Sequence, residues 1–133
     1  MAQQIMDTLT PEMKELFTKP NFASVATVCP DGRPQVSVVW IDIEGDLILV
    51  NTADGRVKDR NMRREPRAAV TVFDMDNPYR MVTVQGRVVE VTKDGAEEHI
   101  DKLSMKYHGS LYPMHGDRVL FKIQPVRVAT MGI

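Results

Sequence analysis

Two short turn signals, Pro30-Asp31-Gly32 and Glu44-Gly45-Asp46, cut residues 22–52 into three β-rich runs: Phe22 to Cys29, Pro34 to Ile43 and Leu47 to Thr52. Proline presets φ and glycine accepts a positive one, so each signal reverses the chain within a few residues. Runs joined so tightly pair antiparallel, which commits this part of the chain to a three-stranded meander. In the middle run Val36, Val38 and Trp40 share one face and Val39, Ile41 and Ile43 the other. Both faces are apolar, so this strand is expected to be buried on both sides.

The rest of the chain extends the same pattern. Thr10-Pro11-Glu12 opens a helix with a capping threonine, a proline at the first helical position and an acid at the positive end, and Pro20 stops it. Gly55 to Glu65 is polar and reads as a short helix ended by Pro66. Arg67 to Phe73 is a fourth strand, Asp74 to Pro78 a loop, and Tyr79 to Thr92 a long fifth strand whose Gly86 marks a bulge or bend. Asp94 to Tyr107 is a third helix and His108 to Asp117 a loop. Arg118 to Gln124 and Val126 to Met131 close the chain as one or two strands. About six strands and three helices predict a mainly β (α+β) fold: an antiparallel six-stranded barrel with peripheral helices. With 133 residues, one domain spanning 1–133 is expected, with no linker or repeat.

Composition excludes several classes. The longest apolar runs are four residues, far short of the ~20 of a spanning helix, and Met1 to Leu9 has no basic residue to start a secretory signal. A cytoplasmic protein without membrane contact is expected, and the single Cys29 forbids an internal disulfide. Cys29 reads as a small packing residue at a strand end. The glycines form no G-x-G and there is no G-x-S-x-G elbow, so dinucleotide fingerprint, P-loop and hydrolase elbow are all missing. His99, His108 and His115 are too widely spaced for a common zinc pattern, and no metal is expected.

One segment concentrates charge. Arg56, Lys58, Arg60, Arg63, Arg64 and Arg67, against Asp59 and Glu65, give +4 in twelve residues of a chain whose net charge is -1. The cluster begins at a helix N-terminus, where free backbone N–H groups and the helix dipole favour an anion. Arg56 and Lys58 add charge there, Asn61 lies a turn further on, and Asn51-Thr52 ends the preceding strand with neutral donors. A phosphate site at this strand–helix junction competes with a plain solvated basic face. Nucleic acid is not the expected partner, because no aromatics interleave with the arginines and the net charge is negative.

The run Gly55-Arg-Val-Lys-Asp-Arg-Asn-Met-Arg-Arg-Glu-Pro-Arg-Ala68 resembles the signature of the split β-barrel proteins related to pyridoxamine 5'-phosphate oxidase. It is most similar to their deazaflavin branch, which uses coenzyme F420. Asp31-Gly-Arg-Pro-Gln35, Val84-Gln-Gly86-Arg and Lys106-Tyr-His-Gly-Ser-Leu-Tyr-Pro113 resemble other parts of the same pattern, in order along nearly the whole chain.

The resemblance implies a homodimer with cofactor grooves between subunits. Arg56 and Lys58 would hold the cofactor phosphate, with Asn61 and Asn51 beside them. Gln35 would approach the ring, and Tyr79, Arg80 and Met81 would line the groove. Arg60, Arg63 and Arg64 would form a basic track for the coenzyme's polyglutamate tail. The implied activity is hydride transfer from reduced F420 to a small conjugated acceptor. FMN is the alternative cofactor, and a non-enzymatic carrier of F420 or heme the alternative role. No proton donor is identified.

Overall fold

The computed structural model describes residues 5–6, 8–114 and 116–133. Eleven elements follow one another: β1 (Ile5–Met6), α1 (Pro11–Thr18), β2 (Phe22–Val28), β3 (Pro34–Trp40), β4 (Asp42–Glu44), β5 (Leu47–Ala53), α2 (Val57–Arg64), β6 (Arg67–Asp74), β7 (Asn77–Thr92), α3 (Ala96–His108) and β8 (Arg118–Met131). The strands form one antiparallel sheet in the order β3-β2-β6-β7-β8-β5-β4, with β1 added on β8.

The ladder has seven strands where the sequence predicts six. The expected strand over Pro34–Ile43 is broken at Ile41, giving β3 and β4. The reason lies in helix α3. The Tyr107 hydroxyl accepts the Ile41 N–H at 3.0 Å, and Lys106 Nζ donates to the Ile41 carbonyl at 2.7 Å and to the Phe17 carbonyl at 2.6 Å. With its backbone groups taken by side chains, Ile41 leaves the ladder without an unsatisfied polar group. β3 then pairs with β2 and β4 with β5, so the two ends of the sheet are joined through one residue and the sheet curls into a split barrel. Lys106 is pushed down to about 8 by burial, with Lys102 adding to the effect and Asp42 opposing it.

The core fills the curl. Val25, Ile48, Val50, Val70, Val72, Val82, Val84, Phe121 and Ile123 are fully buried, and Met13, Leu16 and Phe17 of α1 join them. The two longest strands cross where β7 bulges at Gln85/Gly86. A Cβ on Gly86 would stand 2.6 Å from Ile123 Cγ2 and 2.9 Å from the Gln124 carbonyl oxygen, so only glycine lets β8 pass. β8 runs unbroken from Arg118 to Met131, and the expected loop at Asp74 to Pro78 is a tighter turn in which Asp74 Oδ1 accepts the Asp76 N–H at 2.9 Å.

The expectation that the second strand is buried on both faces does not hold within the chain. Val36 is 60% and Val38 69% exposed, because β3 is an edge strand and none of the described residues covers its outer face. The outward rows across the sheet carry little charge. Val38 lies level with Ser24, Thr71, Thr83 and Ala129, and Val36 with Ala26, Ala69, Gln85 and Arg127.

Candidate functional site

A cleft of about 310 Å³ opens where β5 ends and α2 begins. Phe22, Val38, Trp40 and Tyr112 supply its apolar side, and Asn51, Thr52, Arg56, Lys58 and Arg118 its polar side. The local sequence explains the convergence. Antiparallel pairing of β5 with β8 sets Ala53 opposite Arg118, and the turn through Gly55 then returns the chain so that Arg56 and Lys58 face the same opening. Trp40 stacks on Tyr107 with ring centroids 5.2 Å apart and meets Tyr112 edge-on at 6.2 Å. Arg118 lies over the Tyr112 ring, 5.3 Å from its centroid.

The electrostatics of this cleft are one-sided. Among the described residues, none of Arg56, Lys58 and Arg118 takes part in an ion pair. Burial pushes the Lys58 ammonium below its ordinary value, and the positive charges of Arg56 and Arg118 push it further. Burial likewise lowers Arg118, with Arg56 adding to the effect. Arg56 occupies the N-cap of α2 and makes no capping hydrogen bond with its side chain. Three cations held together at an uncapped helix start favour a bound anion, which would relieve the repulsion and occupy the free N–H groups.

The residues singled out from the sequence separate into three places. Asn51, Arg56 and Lys58 meet in this cleft. The Asn51 amide is 8% exposed and already committed: Nδ2 donates to the Ala96 carbonyl at 2.8 Å and lies 3.1 Å from His99 Nδ1, while Oδ1 accepts from Arg118 Nε at 2.9 Å. Asn61 and Gln35 come together around Thr27. Asn61 Nδ2 donates to Thr27 Oγ1 at 3.0 Å, and Thr27 Oγ1 donates to Gln35 Oε1 at 3.3 Å. Asn61 is buried, so within the chain it ties α2 to β2, with Cys29 Sγ 3.7 Å from the same amide. Thr27 also borders a second cleft of about 690 Å³, lined besides by Pro34, Arg67, Gln85 and Arg87.

Tyr79, Arg80 and Met81 lie at the start of β7 and line neither cleft. Tyr79 is 73% exposed, and Arg80 pairs with Asp74 at 2.6 Å and Glu12 at 3.5 Å. The track expected from Arg60, Arg63 and Arg64 is largely engaged within the chain. Arg63 pairs with Asp59 at 2.7 Å and with Asp54 at 3.5 Å, and Arg64 donates to the Val28 carbonyl and to Asn61 Oδ1. Arg118, Trp40 and Tyr112 are the cleft residues that the reading of the basic segment misses. Arg118 lies 62 positions after Arg56 in the chain, and only the β5–β8 pairing brings them together.

Of the histidines considered as ligands, His99 pairs with Asp42 and His108 stands edge-on to Trp40, while His115 lies outside the described residues. Among the described residues no three His, Cys, Asp or Glu side chains gather as a metal site, and no helix is long and apolar enough to cross a membrane.

Comparison with known proteins agrees with the architecture. The sequence is 30% identical over 84 residues to a pyridoxine/pyridoxamine 5'-phosphate oxidase of Gloeothece citriformis; the match takes in 62% of this chain and 39% of that relative's length. The fold superposes on an F420 reductase with a TM-score of 0.79 and 33% identity, over 86% of this chain and 94% of the other. It also superposes on a conserved hypothetical protein of Mycobacterium tuberculosis with a TM-score of 0.75 and 22% identity, over 94% and 87% of the two chains. The profile of the pyridoxamine 5'-phosphate oxidase family matches residues 9–132, from just before α1 to just after β8. With a curled antiparallel sheet, a basic helix start on its flank and a profile spanning both, the chain belongs to the pyridoxamine 5'-phosphate oxidase family.

Proposed function

We propose that this protein is an oxidoreductase that binds coenzyme F420, anchoring a phosphate of the cofactor at Arg56, Lys58 and Arg118, and reduces a small conjugated acceptor. The observation that carries the reading is the convergence of these three cations, without an acid among them, at the start of α2. The likeness to an F420 reductase at 33% identity supports the deazaflavin over other cofactors. The reduced deazaflavin would supply the hydride, and the chain anchoring, orientation and a groove. Titrating purified protein with F420 and with FMN, each followed by absorbance, tests the reading. Saturable binding of F420 tighter than FMN supports it, and no binding of either overturns it.

A second reading, FMN in the same place, has its own observation. Among the described residues three cations line the cleft, while Arg63 and Arg64 are held by the chain's own acceptors. That compact cluster suits one phosphate better than a phosphodiester with an extended acidic tail. Clearly tighter FMN binding would select this alternative.

The active form is a homodimer in this proposal. The outer face of β3, β2, β6 and β7 presents Val36, Val38, Phe22, Phe73 and the hydroxyls of Thr71 and Thr83, a weakly charged surface of the kind that a second copy buries. Light scattering on the eluting peak should return twice the chain mass, and Val38→Glu should return the single chain. A wild-type monomer would remove the shared groove.

A further inference from the structure

Behind the cation cluster runs a buried polar chain that the cofactor does not need to touch. Asp42 is 4%, His99 8% and Asn51 8% exposed, and they come from β4, α3 and β5. His99 Nε2 lies 2.9 Å from Asp42 Oδ2, His99 Nδ1 lies 3.1 Å from Asn51 Nδ2, and Asn51 Oδ1 accepts from Arg118 Nε at 2.9 Å. The polarity of the whole chain follows from its first member. Asp42 is ionised: burial alone would raise its carboxyl, but the bonds from His99 and the Ile43 N–H and the Lys102 charge hold it at about 2. A carboxylate only accepts, so His99 Nε2 carries a proton and donates to it. Nδ1 lies against the Asn51 NH2, which the Ala96 carbonyl also accepts from, so Nδ1 is an acceptor there.

That orientation is what serves Arg118. With NH2 directed at His99 and the Ala96 carbonyl, Oδ1 points at the Arg118 guanidinium. The flipped amide would set oxygen against the Ala96 carbonyl and N–H against the Arg118 Nε–H, two mismatches in a buried place. Tyr112 stacks on the guanidinium, so Asn51 and Tyr112 together define where it sits.

We infer that His99, held by Asp42, is a positioning residue that aims Arg118 into the cleft by fixing the Asn51 amide, and thereby sets how tightly the cleft holds a phosphate. This rests on the reading of the cleft as a phosphate site. Without His99 the Asn51 NH2 keeps one acceptor, the Ala96 carbonyl, in place of two, and the Oδ1 that holds Arg118 is less firmly fixed.

The test reads Arg118 with and without ligand. In the wild-type protein the Arg118 Nε–H should give a slowly exchanging NMR signal, because it is hydrogen-bonded at 2.9 Å. His99→Leu should abolish that protection and weaken binding of F420 and of FMN by about tenfold, the size of one charge-assisted hydrogen bond. His99→Asn, whose Oδ1 stands near the place of Nδ1, should restore both. Should His99→Leu not fold, His99→Gln replaces it, keeping a group for Asp42 but none for Asn51. If Arg118→Ala weakens binding while His99→Leu leaves the Arg118 signal and the affinity unchanged, the inference is overturned and the phosphate site stands. If Arg118→Ala and Lys58→Ala both bind like wild type, the phosphate site itself falls, and the role of His99 with it.

Discussion

The two halves of the basic run at α2 are alike in sequence and opposite in structure. At the start of the helix Arg56 and Lys58 meet Arg118, while the acid of the first turn, Asp59, is turned to the Gly55 N–H and Arg63, and burial and mutual repulsion push Lys58 down. At its end the charges are matched. Arg63 is held by Asp59, Arg64 by Asn61 and the Val28 carbonyl, and Arg67 by Glu65 at 2.7 Å. A count of charges treats these halves as one patch. Among the described residues only the first leaves its cations without an acidic partner, and the second is tied into the chain by its own ion pairs and hydrogen bonds. What separates them is where the acids fall: Asp59 and Glu65 both serve arginines at or after position 63.

The largest effect on stability is expected at Asp59, which joins the halves. Its carboxylate is 1% exposed, accepts the Gly55 N–H at 2.7 Å through Oδ2 and binds Arg63 Nε at 2.7 Å through Oδ1. Asp59→Ala strands a backbone donor and frees Arg63, so urea unfolding should show a loss of about 1–3 kcal/mol. An unchanged midpoint would mean that the second half is not scaffold.

Lys58→Met should move stability the other way. It removes a half-buried cation that is repelled by Arg56, by Arg118 and by the positive end of the helix. The helix term alone is about 0.3–1 kcal/mol, so the melting temperature should rise while cofactor affinity falls. A gain of stability paired with a loss of binding marks a functional charge. Loss of both would recast Lys58 as structural.

The smallest effect is a titration. Hydrogen bonds from the Arg67 guanidinium and backbone hold the Glu65 carboxyl down at about 2, against an ordinary 4.5. Because the folded value is depressed, its stabilising contribution is complete above about 4.5 and is lost as pH falls toward 2. Carboxyl NMR should show Glu65 titrating near 2 in the wild type, and Arg67→Ala should return it toward 4.5. A wild-type Glu65 that already titrates near 4.5 would leave Arg67 uncompensated and blur the contrast between the halves.

Much of the fold was legible because its signals are local. The turns at Pro30-Asp31-Gly32 and Glu44-Gly45-Asp46, the proline that opens α1, and Gly86 at the bulge each act within a few residues. The break at Ile41 was not legible, since it depends on Lys106 and Tyr107 more than sixty residues away. For the same reason the strand that reads as buried twice has an outer face open to solvent. The site shows the same divide. Arg56 and Lys58 announced themselves through charge density next to a glycine turn. Arg118 carries no local signal: it is a single arginine at a strand start, and the register of β5 on β8 brings it to Ala53. Nor could charge counting show that Arg63 and Arg64 are spoken for, or that the amides of Asn51 and Asn61 are already committed within the chain.

The central claim is that the anion is held at the start of α2 and not along its length. Isothermal titration of F420 and FMN into Lys58→Ala and Arg67→Ala, beside the wild type, tests it most directly. The cofactor that binds the wild type should lose about ten- to hundredfold in affinity with Lys58→Ala, the equivalent of roughly 1.5–3 kcal/mol for a charged hydrogen bond to phosphate. Arg67→Ala should bind within about twofold of wild type, since Arg67 spends its charge on Glu65. Equal affinities for the two variants, both near wild type, would contradict the account and leave the basic helix a solvated face.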